Sequence, residues 1–493
     1  MPAETYDVIV LGAGPAGLTT ALEVAERGFR VALLERESVT GGMAGSFDVG
    51  GTRVDFGSHR LHPVTPPAVL ARLTRLLGDD LQTRTRRGRL RLGSRWVAFP
   101  LKPADLARSM PRAWLLGVVR DTFLSPLRAR GASRPTSYAD SLRGSLGPTA
   151  YDTLYAPYAE KLWGLPGEQI DPEQARVRVS ADTVPKVAVR VARSSVIRLA
   201  QRAIPRLQRR AAPRGSTFLY PRRGFGQIVE GLEAAAREAS VHIVTDATVT
   251  SITPPPDSPA TDTKSTDLVT IECSDGTTWQ APTVLSTLPI PLLARLADPS
   301  PPTSVVEDAK ALRFRAMVLV YLAHERSQWS SFDAHYLPGA GTPITRISEP
   351  SNYRDSADDP SDRSVICVEI PCAVDDGIWT ATDDDLSAVV HRAIEDFDLP
   401  PLDSSTIESR RLRSVYPVYE HGFAPRLARL ENWADGIPGV TTLGRSGLFA
   451  HDNTHHALIM AAAVADSLDD TGRLNKHRWR EARESFRTHV VED

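Results

Sequence analysis

Residues 6–17, YDVIVLGAGPAG, constrain this chain more than any other stretch, because an apolar run ends in Gly12-x-Gly14-x-x-Gly17 just as a helical pattern begins. Gly12 permits a tight turn out of a strand, Gly14 lets a pyrophosphate approach the backbone, and Gly17 lets helix and strand close on each other. Pro15 and Ala16 stand at the amino end of the helix, where free N–H groups and the dipole favour an anion. The helical pattern runs to residue 27 and stops at Gly28, and residues 30–34 make a second apolar strand. That strand ends at Glu35, followed by Arg36, in the place where an acid meets the ribose hydroxyls of an adenosine. Strand, glycine turn, helix, strand and acid stand in order. The chain is expected to open as a Rossmann-like α/β dinucleotide-binding unit.

The 493 residues are too many for that unit alone. Helical patterns recur over 104–208, with breaks expected at Pro111, Pro126, Pro135 and Pro185. Strand alternation is predicted for 242–252, then a long exposed hairpin loop over 253–266. Further strands are expected at 268–273, 283–287, 315–322, 364–370 and 440–443, an acidic loop at 355–362, and a helix at 456–468. The nucleotide-binding unit is therefore expected to be discontinuous, over 1–100, 215–300 and 405–475. Residues 101–214 and 301–404 would form an inserted α+β substrate-facing domain.

A hydrophobic fraction of 41% and a charged fraction of 24% match a water-soluble globular protein, and no run of 18 apolar residues spans a membrane. The chain begins directly on a strand pattern without a leader, so the cytoplasm is the expected address. Cys273, Cys367 and Cys372 are too few for a disulfide framework and read as reduced thiols. A net charge of -2 gives no reason to expect a nucleic-acid partner. Residues 183–229 nevertheless contain no acid, and Arg190, Arg193, Arg198, Arg202, Arg206, Arg209 and Arg210 alternate there with apolar residues at helical spacing. Such a basic helix over 187–210 suits peripheral contact with an anionic membrane, an anionic substrate, or simply a solvated face.

A second glycine pair, Gly41-Gly42, with Met43 beside it, follows a few residues past Glu35, and NAD-specific units have no need of it. Here the chain resembles the flavin amine oxidase, protoporphyrinogen oxidase and phytoene desaturase superfamily, almost end to end. The resemblance implies a glutathione-reductase-like fold around one non-covalently bound FAD. Tyr220-Pro-Arg-Arg-Gly-Phe-Gly226 looks like its middle motif, Val249 like the residue against the adenine, VLSTLP at 284–289 like its re-entry strand, and Gly444-Arg445 like its second flavin segment. Three stretches are similar to the UDP-galactopyranose mutase branch: Gly57-Ser58-His59-Arg60-Leu61-His62, Tyr158-Ala-Glu-Lys161-Leu-Trp163-Gly164, and Gly444-Arg445-Ser-Gly-Leu-Phe449.

By that resemblance Gly57, Ser58, Gly444, Arg445, Asn453 and Thr454 join the cofactor-binding set. His59 and His62 would tune the flavin or move a proton, unless they are structural. Trp163 would stack on substrate or merely pack, and Arg60, Arg222, Arg223 and Arg445 would pair with phosphate oxygens, unless Arg445 is a structural ion-pair partner. Tyr416, His451 and His455 complete the substrate-facing candidates, and Arg445 counts among the catalytic ones. The chain departs from the mutases after Phe449, where Ala450-His-Asp-Asn-Thr-His-His456 replaces a Tyr-rich stretch ending in Met-Asp. His59, His62, His451 and His455 lack ligand spacing, so no metal is expected.

The expected function is FAD-dependent oxidation of a small molecule, possibly a sugar nucleotide or biosynthetic intermediate, by hydride transfer to flavin N5 with a histidine taking the proton. One alternative is a non-redox sugar mutase working through a flavin N5 adduct. Others are a protoporphyrinogen oxidase- or desaturase-like enzyme at the membrane surface, and a flavin-bound subunit that docks on membranes or partners.

Overall fold

A computed structural model describes residues 4–131, 134–178, 217–256 and 267–491. The expectations for 187–210, for Pro185 and for most of the 253–266 loop lie outside the described residues.

Five short strands form one all-parallel sheet in the order His242–Val244, Val31–Leu34, Val8–Leu11, Thr283–Ser286, Val440–Thr442. Val8–Leu11 and Val31–Leu34 are buried throughout, which is why they read as unbroken apolar runs. Val8, Val10, Val31 and Leu33 face a layer of helices, Pro15–Ala25, Gln227–Glu238 and Thr454–Asp466, whose Leu18, Leu22, Ile228, Leu232, Met460 and Val464 fill that core. Ile9, Leu11, Ala32 and Leu34 face the opposite side, where Ile252, Ile271 and Trp279 come from a four-stranded sheet. This is a three-layer arrangement of the α/β unit expected from the opening motif.

A seven-stranded sheet runs Ser404–Pro417, Phe314–His324, Ser364–Cys372, Arg346–Ser348, Ala334–Tyr336, Gly88–Leu92, Arg95–Phe99. Strand pairing thus gives 88–99 and 404–417 to this sheet, although the sequence reading assigned most of both segments to the nucleotide-binding unit. One face, with Val318, Val320, Ile366 and Val368, packs on the Asp383–Asp396 helix. The other face, with Met317, Leu319, Tyr321 and Cys367, packs on residues 43–56 of the first unit. That second contact brings the candidate site together.

Two local expectations fail. The 242–252 run is two strands in two different sheets, because Asp246 turns at φ +57° and Ala247 N–H donates to the Glu35 carbonyl. Pro126 does not break its helix, Arg112–Gly131. A proline removes one helical hydrogen bond, a local cost that the remaining bonds and packing of a long helix can outweigh. Among the described residues no helix is long and apolar enough to cross a membrane.

Candidate functional site

Backbone alone builds the first part of the site. Gly12 has φ +94°, and a Cβ on Gly17 would stand 1.8 Å from the Gly12 carbonyl oxygen, so strand and helix touch with no room for a side chain. Gly14 is the N-cap of the Pro15–Ala25 helix, which carries no side-chain cap and no acid in its first turn. A Cβ on Gly14 would meet nothing within 4 Å, whereas one on Gly42 would lie 3.5 Å from Gly14 Cα and one on Gly444 3.1 Å from Ala16 Cβ. Three segments distant in sequence therefore close, backbone first, around one helix amino end. Glu35 reaches the same turn, its Oε2 accepting from Ala13 N–H at 2.7 Å and its Oε1 from Glu37 N–H at 2.9 Å. Val249 opens its strand two residues after the Ala247–Glu35 bond and is half-buried. Arg36 points to solvent and pairs with Glu37. Gly41 turns at φ +110°, and Met43 packs toward the seven-stranded sheet. Asn453 and Thr454 begin the Thr454–Asp466 helix, again with no acid in its first turn. Open N–H donors, an acid at the strand end and approaches that exclude a Cβ fit a pyrophosphate-bridged dinucleotide.

Side chains from the other sheet build the second part. Gly57, at φ +89°, gives its N–H to Tyr321 Oη, and Ser58 N–H donates to Glu369 Oε1 at 2.8 Å. Arg346 grips both Glu369 oxygens at 2.7 and 2.8 Å and also donates to the Ser58 carbonyl. Ser58 Oγ bonds Tyr353 Oη. Arg60 is consumed within this network, on Tyr336 Oη, Tyr353 Oη and, at 3.2 Å, Asp333. Burial opposes its charge, yet those partners hold the guanidinium pKa above the usual value. His59 stacks on Phe225 at 5.1 Å with Nε2 2.9 Å from the Phe56 carbonyl. Burial lowers its pKa, so the ring is neutral, Nε2 carries the proton and Nδ1 is left as an acceptor. Asp55, buried, accepts from Ser46 Oγ, Phe225 N–H and Tyr220 Oη, and so ties the Tyr220–Gly226 motif to this loop.

A third group gathers around Trp163. The indole meets Tyr416 and His451 edge-on, at 5.7 and 5.2 Å, with the Arg178 guanidinium 5.7 Å above it. Arg445 lies 5.3 Å over Tyr416 and donates to the carbonyls of Val415, at 2.7 Å, and Asp452, at 3.3 Å. Among the described residues it therefore serves backbone acceptors and no carboxylate, and burial lowers its pKa. His451 faces Gln174, and burial, with Arg178 and Arg445 adding to it, holds its pKa well below the ordinary value. Lys161 spends its ammonium on the Leu337 and Ile344 carbonyls, and burial pushes it down to about 7.

His455 is pushed down to about 3, first by burial and then by the charges of His456, His62 and His489. Asp452 Oδ1 lies 3.2 Å from His456 Nδ1 and 3.0 Å from His489 Nδ1. Those two rings stack at 4.0 Å and 13°, and their nitrogens differ in role: His489 Nδ1 is hydrogen-bonded to Asp452 Oδ1, whereas His456 Nδ1 accepts from Asn453 N–H at 3.1 Å. Among the described residues these three form a group whose spacing could admit a metal ion, but the His456 lone pair is already used on Asn453 N–H.

Arg222 stands apart from all three groups, half-exposed on Asp80 and the Asp355 carbonyl. Sequence reasoning missed Arg346, Glu369, Asp55, Asp333, Tyr321 and Tyr353. One signal was present: Glu369 interrupts the otherwise apolar strand SVICVEIPC, where an unpaired charge would be costly.

Comparison with known proteins bears on the fold and the family. Reduced UDP-galactopyranose mutase has a similar fold, with a TM-score of 0.77 at 18% identity over 99% of this chain and 100% of that one. Putrescine oxidase bound to putrescine gives a TM-score of 0.62 at 14% identity over 94% and 99%. A phytoene dehydrogenase of Streptomyces griseus is 52% identical over 50 residues, a stretch that spans 10% of each protein. Residues 15–464 match the family described as flavin containing amine oxidoreductase. With that match covering most of the sequence, the chain belongs to the flavin containing amine oxidoreductases, an enzyme family whose cofactor is a flavin.

Proposed function

We propose that this flavoenzyme binds FAD and oxidises a small-molecule substrate by accepting a hydride from one of its C–H bonds. The observation that carries the reading is the meeting of residues 12–17, 41–42 and 444 around an uncapped helix amino end, with Glu35 beside them. Gly12, Gly14, Pro15, Ala16 and Gly17 would hold the pyrophosphate, Glu35 the adenosine ribose, Val249 the adenine, and Gly444, Asn453 and Thr454 the flavin end. When bound, the flavin supplies a two-electron acceptor.

The protein's own residues would orient substrate and move the proton. His59, neutral and anchored through Nε2, offers Nδ1 as a base. Trp163 and Tyr416, overlain by Arg178 and Arg445, suit a flat or sugar-like substrate that carries negative charge. Arg445 and Arg60, tied to carbonyls and to tyrosines, act here by positioning. In this reading the five-stranded unit carries the cofactor and the seven-stranded sheet carries the substrate.

The test begins with the purified protein, its visible spectrum, and the mass of the cofactor released on denaturation. FAD is expected, and a colourless preparation that refuses reconstitution removes the proposal. Anaerobic bleaching with amine, polyene and sugar-nucleotide candidates then probes hydride transfer. Turnover only after prior reduction, with isomerised product and no bleaching, would replace it by the mutase reading that the Lys161-Leu-Trp-Gly164 segment and the fold likeness favour.

A further inference from the structure

Among the described residues seven large apolar side chains are exposed, and four of them sit on the single helix Arg112–Gly131. Leu116, Val119, Phe123 and Leu124 are 69%, 51%, 78% and 41% exposed. Arg112, Leu116, Val119 and Phe123 fall at i, i+4, i+7 and i+11, which is one stripe along a helix. Elsewhere on the same helix Trp114 and Leu115 pack on the cluster of Leu90, Val97 and Met110, and Gly117 lies against Thr149. The helix is thus apolar toward the protein and apolar toward water, which a solvated helix has no reason to be.

Charge narrows what can cover the stripe. Between 102 and 124 the acids are Asp105 and Asp121, and both are turned inward. Asp105 accepts from Ala98 N–H at 2.6 Å, and Asp121 accepts from Thr149 N–H at 2.8 Å and from Arg120 at 3.0 Å. Lys102, Arg108 and Arg112 are exposed and have no carboxylate partner among the described residues. A second copy of the chain docked through this same face would offer these cations no exposed carboxylate between 102 and 124. An anionic lipid surface would instead neutralise them while the stripe enters the acyl boundary.

We propose that the Arg112–Gly131 helix is a peripheral docking face for an anionic lipid bilayer. The proposal stands independently of the flavin reaction. Its test is sedimentation of the holoprotein with phosphatidylcholine vesicles, with or without phosphatidylglycerol. Binding to the anionic vesicles is expected to exceed neutral binding by at least about tenfold, given some 1 kcal/mol per basic residue near the surface, and to weaken in high salt. Leu116→Ser/Val119→Ser/Phe123→Ser should abolish pelleting, and Arg108→Glu/Arg112→Glu should erase the anionic preference, both with unchanged flavin content and circular dichroism. A wild type that stays in the supernatant, equal binding to both vesicles, or pelleting untouched by the triple substitution would overturn it. So would a vesicle-free dimer that the triple variant splits, which would assign the face to self-association.

Discussion

The glycine turn and the 57–62 loop both belong to the candidate site, yet they are held in opposite ways. At the turn the close contacts are made largely by backbone, many of them between neighbours in sequence such as Ala13 and Glu35, 22 residues apart, with Thr287 and Gly444 arriving from farther along the chain. At the loop they are made by side chains from the other sheet. Ser58 is fixed by Glu369, 311 residues away, by Tyr353, 295 away, and by Arg346, 288 away. A site made of backbone is specified by the absence of side chains and survives many changes around it. A site made of a buried ion pair depends on two residues that no local pattern links.

The sharpest way to break this contrast is at Gly17. Gly17→Val would drive a side chain into the Gly12 carbonyl, and we expect loss of flavin together with about 4–5 kcal/mol of stability, the upper end for one substitution. Thermal unfolding and flavin absorbance would show it, and a yellow, stable variant would contradict the geometry. Glu369→Ala comes next. It strands the Arg346 charge in a buried place, with an expected cost of about 3 kcal/mol or more in urea unfolding. Replacing both partners by apolar residues should cost far less, and an equal cost would mean that the pair does more than satisfy itself.

His455 sets a pH dependence. Its folded pKa of about 3 lies below the unfolded value, so the unfolded chain binds the extra proton and stability falls as pH drops from about 6.5 towards 3. Between pH 6.5 and 5 the loss from this residue is about 2 kcal/mol. His455→Gln should flatten that slope, and an unchanged slope would move its origin elsewhere. Trp163→Phe is the mildest change. It keeps a ring against Tyr416 and His451, and a cost of about 1 kcal/mol is expected for the poorer edge contacts. If that variant loses substrate turnover without losing stability, the indole touches substrate.

Much of the three-layer unit was legible in the residues. Apolar runs such as Val8–Leu11 and Val31–Leu34 announce strands buried on both faces, and each becomes a member of the parallel sheet. The 242–252 alternation misled because period-two patterning does not say which sheet a strand joins, and the Asp246 turn lies within it. Among site residues, Trp163, Tyr416, His451 and Arg445 do meet, whereas Arg222 goes to Asp80. A side chain named from a motif can be placed on its element, but its partner depends on how the two sheets dock.

The sequence by itself determined the glycine turn, its helix and the acid at the strand end, because each follows from steric and hydrogen-bonding rules acting over some thirty residues. Tertiary structure alone decided that Arg346 and Glu369 brace Ser58, that Arg60 is spent on Tyr336, Tyr353 and Asp333, and that an apolar stripe remains on Arg112–Gly131. The physical reason is that burial and charge pairing are properties of what surrounds a residue, and those surroundings come from the far ends of the chain.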